Sequence, residues 1–151
     1  MFFEDQALAL REMRRVIGAG GRAAVAVWDR VENSPGYAAM VELIDRMFGE
    51  VAADALRAPF SLGDLGGLNS LLQSAGWGEA AITRRIGTAR FASITEWVRM
   101  DVRGWTLADM IDDDQYEALV RAANKELVRF AGPDGAVTFA APGHIISLHQ
   151  S

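Results

Sequence analysis

An α/β fold with three strands is predicted by three features of this sequence. Arg22 to Trp28 is a short, continuously apolar run set off by glycines, which reads as a strand covered on both faces in a parallel-type position. Val137, Phe139 and Ala141 alternate with their neighbours, as residues on one face of a strand do. Between and before these runs, apolar residues recur at helical spacing. The resulting order is α-β-α-α-β-α-α-β, with no internal repeat and no dividing linker, so residues 1–151 are expected to form one domain.

The first helix is expected over 4–17. Leu8, Met13 and Ile17 form its apolar face, Glu4 and Asp5 sit at the positive end of its dipole, and Arg11, Arg14 and Arg15 sit toward the negative end. Gly18, Gly20 and Gly21 end it and lead into the strand 22–28. Asn33-Ser-Pro-Gly36 makes a turn and caps a second helix carrying Tyr37, Met40, Val41, Ile44, Met47 and Phe48. A short helical piece over 51–57 follows. Asp64 is read as the N-cap of a helix with Leu65, Leu68, Leu71 and Leu72 inward and Gly76 as its stop.

A mixed polar and apolar stretch over 80–91 is expected to be a strand with Arg84 and Arg85 on opposite sides. Ser93 and Glu96 have capping-box spacing, starting a helix that breaks near Gly104. A short amphipathic piece follows with Trp105, Leu107, Met110 and Ile111. Asp112, Asp113 and Asp114 start a long helix to about Phe130. Gly132-Pro-Asp-Gly135 is a turn into the last strand, which Pro142 and Gly143 are expected to interrupt with a bulge or kink.

Composition narrows the function. Fifteen basic against twenty acidic residues give a net charge of −5, leaving no basic stripe for nucleic acid or an anionic membrane. There are no cysteines, which excludes thiolate nucleophiles, disulfides and Cys-ligated metals. Two histidines, His144 and His149, are too few for a His-based metal site without carboxylates from distant positions, and no metal ligand is assigned. The N-terminus carries acids where a signal peptide carries basic residues, and no apolar run approaches a membrane span. A cytoplasmic location is expected.

The stretch from Leu10 to Trp28 resembles one specific family. Its Arg15-Val16-Ile17 triplet, the Gly18-Ala19-Gly20-Gly21 turn and the apolar strand after it are similar to the helix, turn and fifth strand of class I S-adenosylmethionine-dependent methyltransferases. Ala19 stands where that turn often has proline. Met1-Phe2-Phe3 resembles the segment after the family's fourth strand. Ala58 to Asp64 and Leu71 to Trp77 are similar to the loop and helix before its sixth. The closest flavour is the small-molecule branch related to quinone biosynthesis.

The resemblance implies a partial Rossmann-like fold: a three-stranded mixed sheet with the last strand central and antiparallel, and a helical lid insertion over about 92–131. The helices from Glu4 and Leu65 are expected to cover the sheet. The family's Gly-rich cofactor loop and its ribose-binding acid have no counterpart here, because Gly18 to Gly21 precedes a strand rather than following one. The chain therefore resembles the substrate-side, C-terminal half, from an internal start codon, a truncated gene or a half-domain in its own right. S-adenosylmethionine is the family's cofactor, expected to bind this chain alone weakly or not at all.

The expected function is methyl transfer to a small-molecule substrate, with this half inactive alone. The alternative is a non-catalytic module that binds an apolar ligand or dimerises. The strand 22–28 lacks a second neighbour, so the expected partner is a second copy at that edge or the missing N-terminal half. The substrate-binding candidates are Trp28, at the C-terminal end of the strand, with Phe60, Trp105 and Met110; each also reads as a core aromatic or methionine.

No catalytic or cofactor-binding residue is assigned. His144 is the natural general-base candidate, read equally as a strand histidine with a hydrogen-bonded partner. His149 is expected to be exposed. Arg84 and Arg85 read as a solvated pair or a clamp for an acidic substrate.

Overall fold

The computed structural model describes residues 2–78, 80–104 and 106–150. Among these residues six α-helices, α1 (Gln6–Ile17), α2 (Pro35–Phe48), α3 (Glu50–Arg57), α4 (Leu65–Ser74), α5 (Ile94–Arg103) and α6 (Asp113–Glu126), accompany three strands, β1 (Arg22–Trp28), β2 (Ala81–Phe91) and β3 (Val137–His149). The sheet order is β1-β3-β2. The C-terminal strand is central as expected, and because it runs against its neighbours the sheet is antiparallel rather than mixed.

The chain divides into two compact units. The first comprises Met1–Arg30, Pro59–Ile86 and Pro142–Ser151, and the second Val31–Ala58 and Gly87–Ala141.

In the first unit, α1 and α4 pack together and cover one face of β1 and β3. Asp5 caps α1 by accepting from Leu8 N at 2.7 Å, and Asp64 caps α4 by accepting from Gly67 N at 2.8 Å. The core joins Val27, Leu68, Leu72, Trp77, Ile146 and Leu148, with Leu10, Met13 and Ile17 of α1 packed against it. Trp77 is tied down by its indole N–H, which donates to Leu10 O at 3.1 Å.

β1 pairs with β3 from Arg22↔His149 to Trp28↔Gly143. Two backbone bonds continue the ladder beyond the strand ends: Asp29 N donates to Pro142 O at 3.1 Å and Gln150 N to Gly21 O at 3.0 Å. Hydrogen-bonded pairs alternate along an antiparallel ladder. These anchors therefore place the odd-numbered backbone groups of β1 toward β3 and the even-numbered ones away from it. The Asp29–Pro142 pair lacks one of its two bonds because proline has no N–H. The pairing ends there and Asp29 leaves the strand.

β1 differs from its expected two-sided burial. Val27 is buried and Ala23 and Val25 are half-buried, but Arg22, Ala24, Ala26 and Trp28 are exposed. Alanines suit either environment, which is why the run reads as uniformly apolar. β3 runs through Pro142 and Gly143 without the expected break. Its buried positions are odd-numbered through Ala141 and even-numbered from Pro142.

The second unit is helical around aromatic residues. Phe139 lies 5.1 Å from Tyr37, 4.8 Å from Trp97 and 5.8 Å from Phe130 between ring centroids. Ser34 precedes α2 and fixes it to β3, its Oγ donating to Ala140 O at 2.7 Å. Ser93 caps α5 by accepting from Glu96 N at 3.1 Å, but Glu96 pairs with Arg99 instead of closing a box. The reciprocal box forms at α6, where Asp112 and Gln115 accept from each other's backbone N–H at 2.8 and 2.9 Å.

Candidate functional site

A buried polar cluster in the first unit lies where β1 ends. Asp29 is 4% exposed and His144 is 1% exposed. Val27 faces His144 across the ladder, so the imidazole shares the inward face of Val27. Asp29 Oδ2 accepts from Arg84 Nε at 2.7 Å, and Oδ1 accepts from Arg30 N at 2.8 Å. His144 Nε2 lies 3.3 Å from Asp29 Oδ1 and 3.3 Å from Gly63 O. Both neighbours of Nε2 are acceptors, so the ring hydrogen belongs on Nε2. Nδ1 is buried with no hydrogen-bond partner among the described residues.

Gly63 makes this closure possible. A β-carbon there would stand 2.3 Å from Arg30 N and 2.4 Å from Asp29 C, so only glycine lets the 61–64 turn lie on the end of β1. The node is an oriented imidazole with a buried carboxylate behind it and a half-exposed guanidinium behind that. Such an order holds a histidine tautomer and leaves the Nδ1 lone pair as an acceptor.

Among the four substrate-binding candidates, Trp28 and Phe60 come together, with ring centroids 6.2 Å apart and planes tilted by 38°. Phe60 is buried and Trp28 is 38% exposed. Trp28 leaves the opposite face of β1 from Val27, so the aromatic pair and the imidazole are on different faces of the sheet. Met110 is exposed and belongs to the second unit. Trp105 lies outside the described residues. Arg84 reaches Asp29, while Arg85 and His149 are exposed. Among the described residues no cluster of acids and histidines suits a metal ion; Asp112 is a helix cap, and Asp113 pairs with Arg103.

The first unit also contains an apolar cavity of about 160 Å³, lined by Leu10 and Met13 of α1, Val25 and Val27 of β1, Leu62, Leu68 and Leu72, and Ile146. Trp28 is not among its lining residues, and its walls are nearly free of polar atoms.

The second unit has a buried acid of its own. Asp101 is 7% exposed, and Oδ2 accepts from Trp97 Nε1 at 2.6 Å. Burial pushes the Asp101 carboxyl up to about 6, opposed by the indole hydrogen bond. The Tyr37 hydroxyl is also pushed up, by burial first and then by the Asp101 charge.

Asp29, Gly63 and Asp101 are the residues of these buried arrangements that the sequence reasoning did not single out. An acid directly after a strand's last residue was the available signal for Asp29. For Asp101 it was an acid one turn after Trp97, within the stripe of Ile94, Trp97, Val98 and Val102.

No protein-family model matches this sequence, and neither does any curated protein. Among the described residues no helix is long and apolar enough to cross a membrane.

Proposed function

We propose that this chain is the substrate-side half of a methyltransferase-type α/β fold acting on a small molecule. The observation that supports the reading is the strand order β1-β3-β2, with a C-terminal strand inserted antiparallel beside the strand that follows the Gly20-Gly21 turn. That order is what the resemblance of residues 10–28 implies. Trp28 and Phe60 are its substrate-contact candidates.

The residues present do not make a site for S-adenosylmethionine. No glycine loop follows a strand. The one acid at the end of β1, Asp29, is buried and already engaged by Arg84, Arg30 N and His144, so it is not presented to a ribose. The cofactor is therefore assigned to residues beyond this chain, and no chemical step is derived through it.

The test compares this chain with a version extended upstream in its native reading frame, each titrated calorimetrically with S-adenosylmethionine. No micromolar binding by the chain and a gain on extension are expected. Micromolar binding by the chain alone, or no gain on extension, overturns the reading.

The apolar cavity favours a second reading, a module that binds an apolar molecule without catalysis. Its volume matches an engineered cavity of about 150 Å³ that takes up benzene. Benzene or indole raising the unfolding midpoint of the chain, with no response to S-adenosylmethionine by the extended form, would favour this reading over the first.

A further inference from the structure

We infer that a cleft between the C-terminal half of α1 and the end of α4 binds a phosphate group, free or as a phosphomonoester. The cleft has a volume of about 480 Å³ and is lined by Arg11, Arg14 and Arg15 of α1, by Ser74 and Gly76 at the end of α4, and by Gln150. The three arginines share one side of the helix, as residues spaced by three and four do. Among the described residues no aspartate or glutamate lines it, although the whole chain has a net charge of −5. Its walls are elements of this chain. α1 and α4 pack on each other, and the Gln150 backbone is fixed, accepting from Gly20 N at 2.7 Å and donating to Gly21 O at 3.0 Å.

Among the described residues Arg14 pairs with no carboxylate. Its Cζ lies 6.0 Å from the centroid of the Trp77 ring, which is buried and held by its indole N–H on Leu10 O. The side chain also runs past Gly76, where a β-carbon would stand 3.6 Å from Nη1. This cation is therefore placed before an anion arrives, which lowers the cost of ordering it on binding. Arg11 and Arg15 pair with Asp5 at 3.8 Å and Glu12 at 2.8 Å. Both pairs are exposed, and exposed pairs are weak enough to yield to a ligand. The carbonyls at the end of α4 would repel an anion, but those of Leu71, Leu72 and Gln73 are closed by Ser74 Oγ and by the N–H groups of Ala75, Gly76 and Trp77. Three guanidiniums around one cleft match the three acceptor oxygens and near-double charge of a phosphomonoester. A carboxylate offers only two oxygens and one charge. The inference rests on this cleft and not on the methyl-transfer reading.

The test follows the full chain by NMR while inorganic phosphate is added at neutral pH and constant ionic strength. Glycerol 3-phosphate is the monoester probe, and acetate and chloride are the comparison anions. Saturable shifts of Arg14 Nε–H and Gly76 N–H are expected with phosphate, and weaker binding with acetate. Arg14→Ala and Arg11→Ala are each expected to weaken phosphate binding about tenfold. Arg14→Lys should restore only part of that loss, because an ammonium lacks the guanidinium fork. Arg121→Ala, whose pair with Glu117 lies on α6, should change nothing. Tighter binding of glycerol 3-phosphate than of inorganic phosphate identifies a monoester as the occupant, and equal or weaker binding identifies free phosphate. Shifts that chloride reproduces, acetate binding as tight as phosphate, or cleft-arginine variants that bind like the native chain overturn the inference. If Arg14→Ala fails to fold, Arg11→Ala decides, since the Arg11 side chain is exposed.

Discussion

Trp97 and Asp101 stand one helical turn apart on the buried side of α5, joined by an indole N–H donated to Oδ2 over 2.6 Å. One hydrogen bond does not replace the water a carboxylate loses on burial. This acid is therefore held up to about 6 from an ordinary 3.8. Between those two values the folded chain binds more protons than the unfolded one, so this group lowers stability as pH rises from about 4 to about 6 and has no further effect above that. A shift of this size corresponds to about 3 kcal/mol in all. Asp101→Asn keeps an acceptor for Trp97 and removes the charge. Urea midpoints are expected to show this slope flattened and stability raised at pH 7.5 by about 1–3 kcal/mol. An unchanged slope between pH 4 and 6 would show that Asp101 is not its source.

Gly36, in the first turn of α2, lies against the ring of Phe139. A β-carbon there would fall 2.4 Å from Cδ1, and that ring is itself packed by Tyr37, Trp97 and Phe130. Gly36→Ala is expected to cost about 1–3 kcal/mol, although alanine is the better helix former. Chemical denaturation measures it, and a neutral or stabilising result would mean the ring has room to move.

The Arg84–Asp29 pair is lopsided, with the guanidinium half-exposed and the carboxylate buried. Removing the buried member leaves an arginine that water can solvate; removing the exposed member strips the guanidinium from a carboxylate that stays inside. Arg84→Ala is expected to cost about 2–3 kcal/mol and Asp29→Asn about 1 kcal/mol. The reverse ranking in urea unfolding would mean that Asp29 does not depend on Arg84.

Gly63→Ala tests the closure over β1. The added methyl meets backbone atoms of Asp29 and Arg30, which cannot rotate away as a side chain would. A loss of about 2–3 kcal/mol is expected. The His144 ring resonances should also shift as Gly63 O withdraws from Nε2. Spectra that superimpose on the native ones would place the carbonyl elsewhere.

Much of the fold was legible from period and punctuation. β1 begins and ends where its glycines and Trp28 place it, α4 starts after Asp64, and Val137, Phe139 and Ala141 are buried as their alternation predicts. Local chemistry was less legible. Ser93 and Glu96 have the spacing of a capping box, but Arg99 sits three residues after Glu96 and takes its carboxylate. Pro142 looked like an interruption, yet it lies opposite Asp29 at the end of the β1 ladder, where a missing N–H costs one bond. The polar node was the least visible, since Asp29, Gly63, Arg84 and His144 are scattered along the sequence and meet only through the sheet order β1-β3-β2 and the turn at Gly63. Trp28 and Phe60 are substrate-contact candidates read from the sequence, but nothing in the sequence shows that Trp28 and His144 point to different sides of the sheet.

The change of parity along β3 predicts an unusual pattern of tolerance to substitution. A saturation scan should find Thr138 permissive while Val137 and Phe139 are intolerant. Beyond Pro142 the rhythm inverts: His144, Ile146 and Leu148 become the intolerant positions, and Ile145, Ser147 and His149 the permissive ones. A strand read with one fixed rhythm would misassign half of its positions. Any set of natural variants of this chain should carry the same inversion, with hydrophobic conservation changing step between residues 141 and 142.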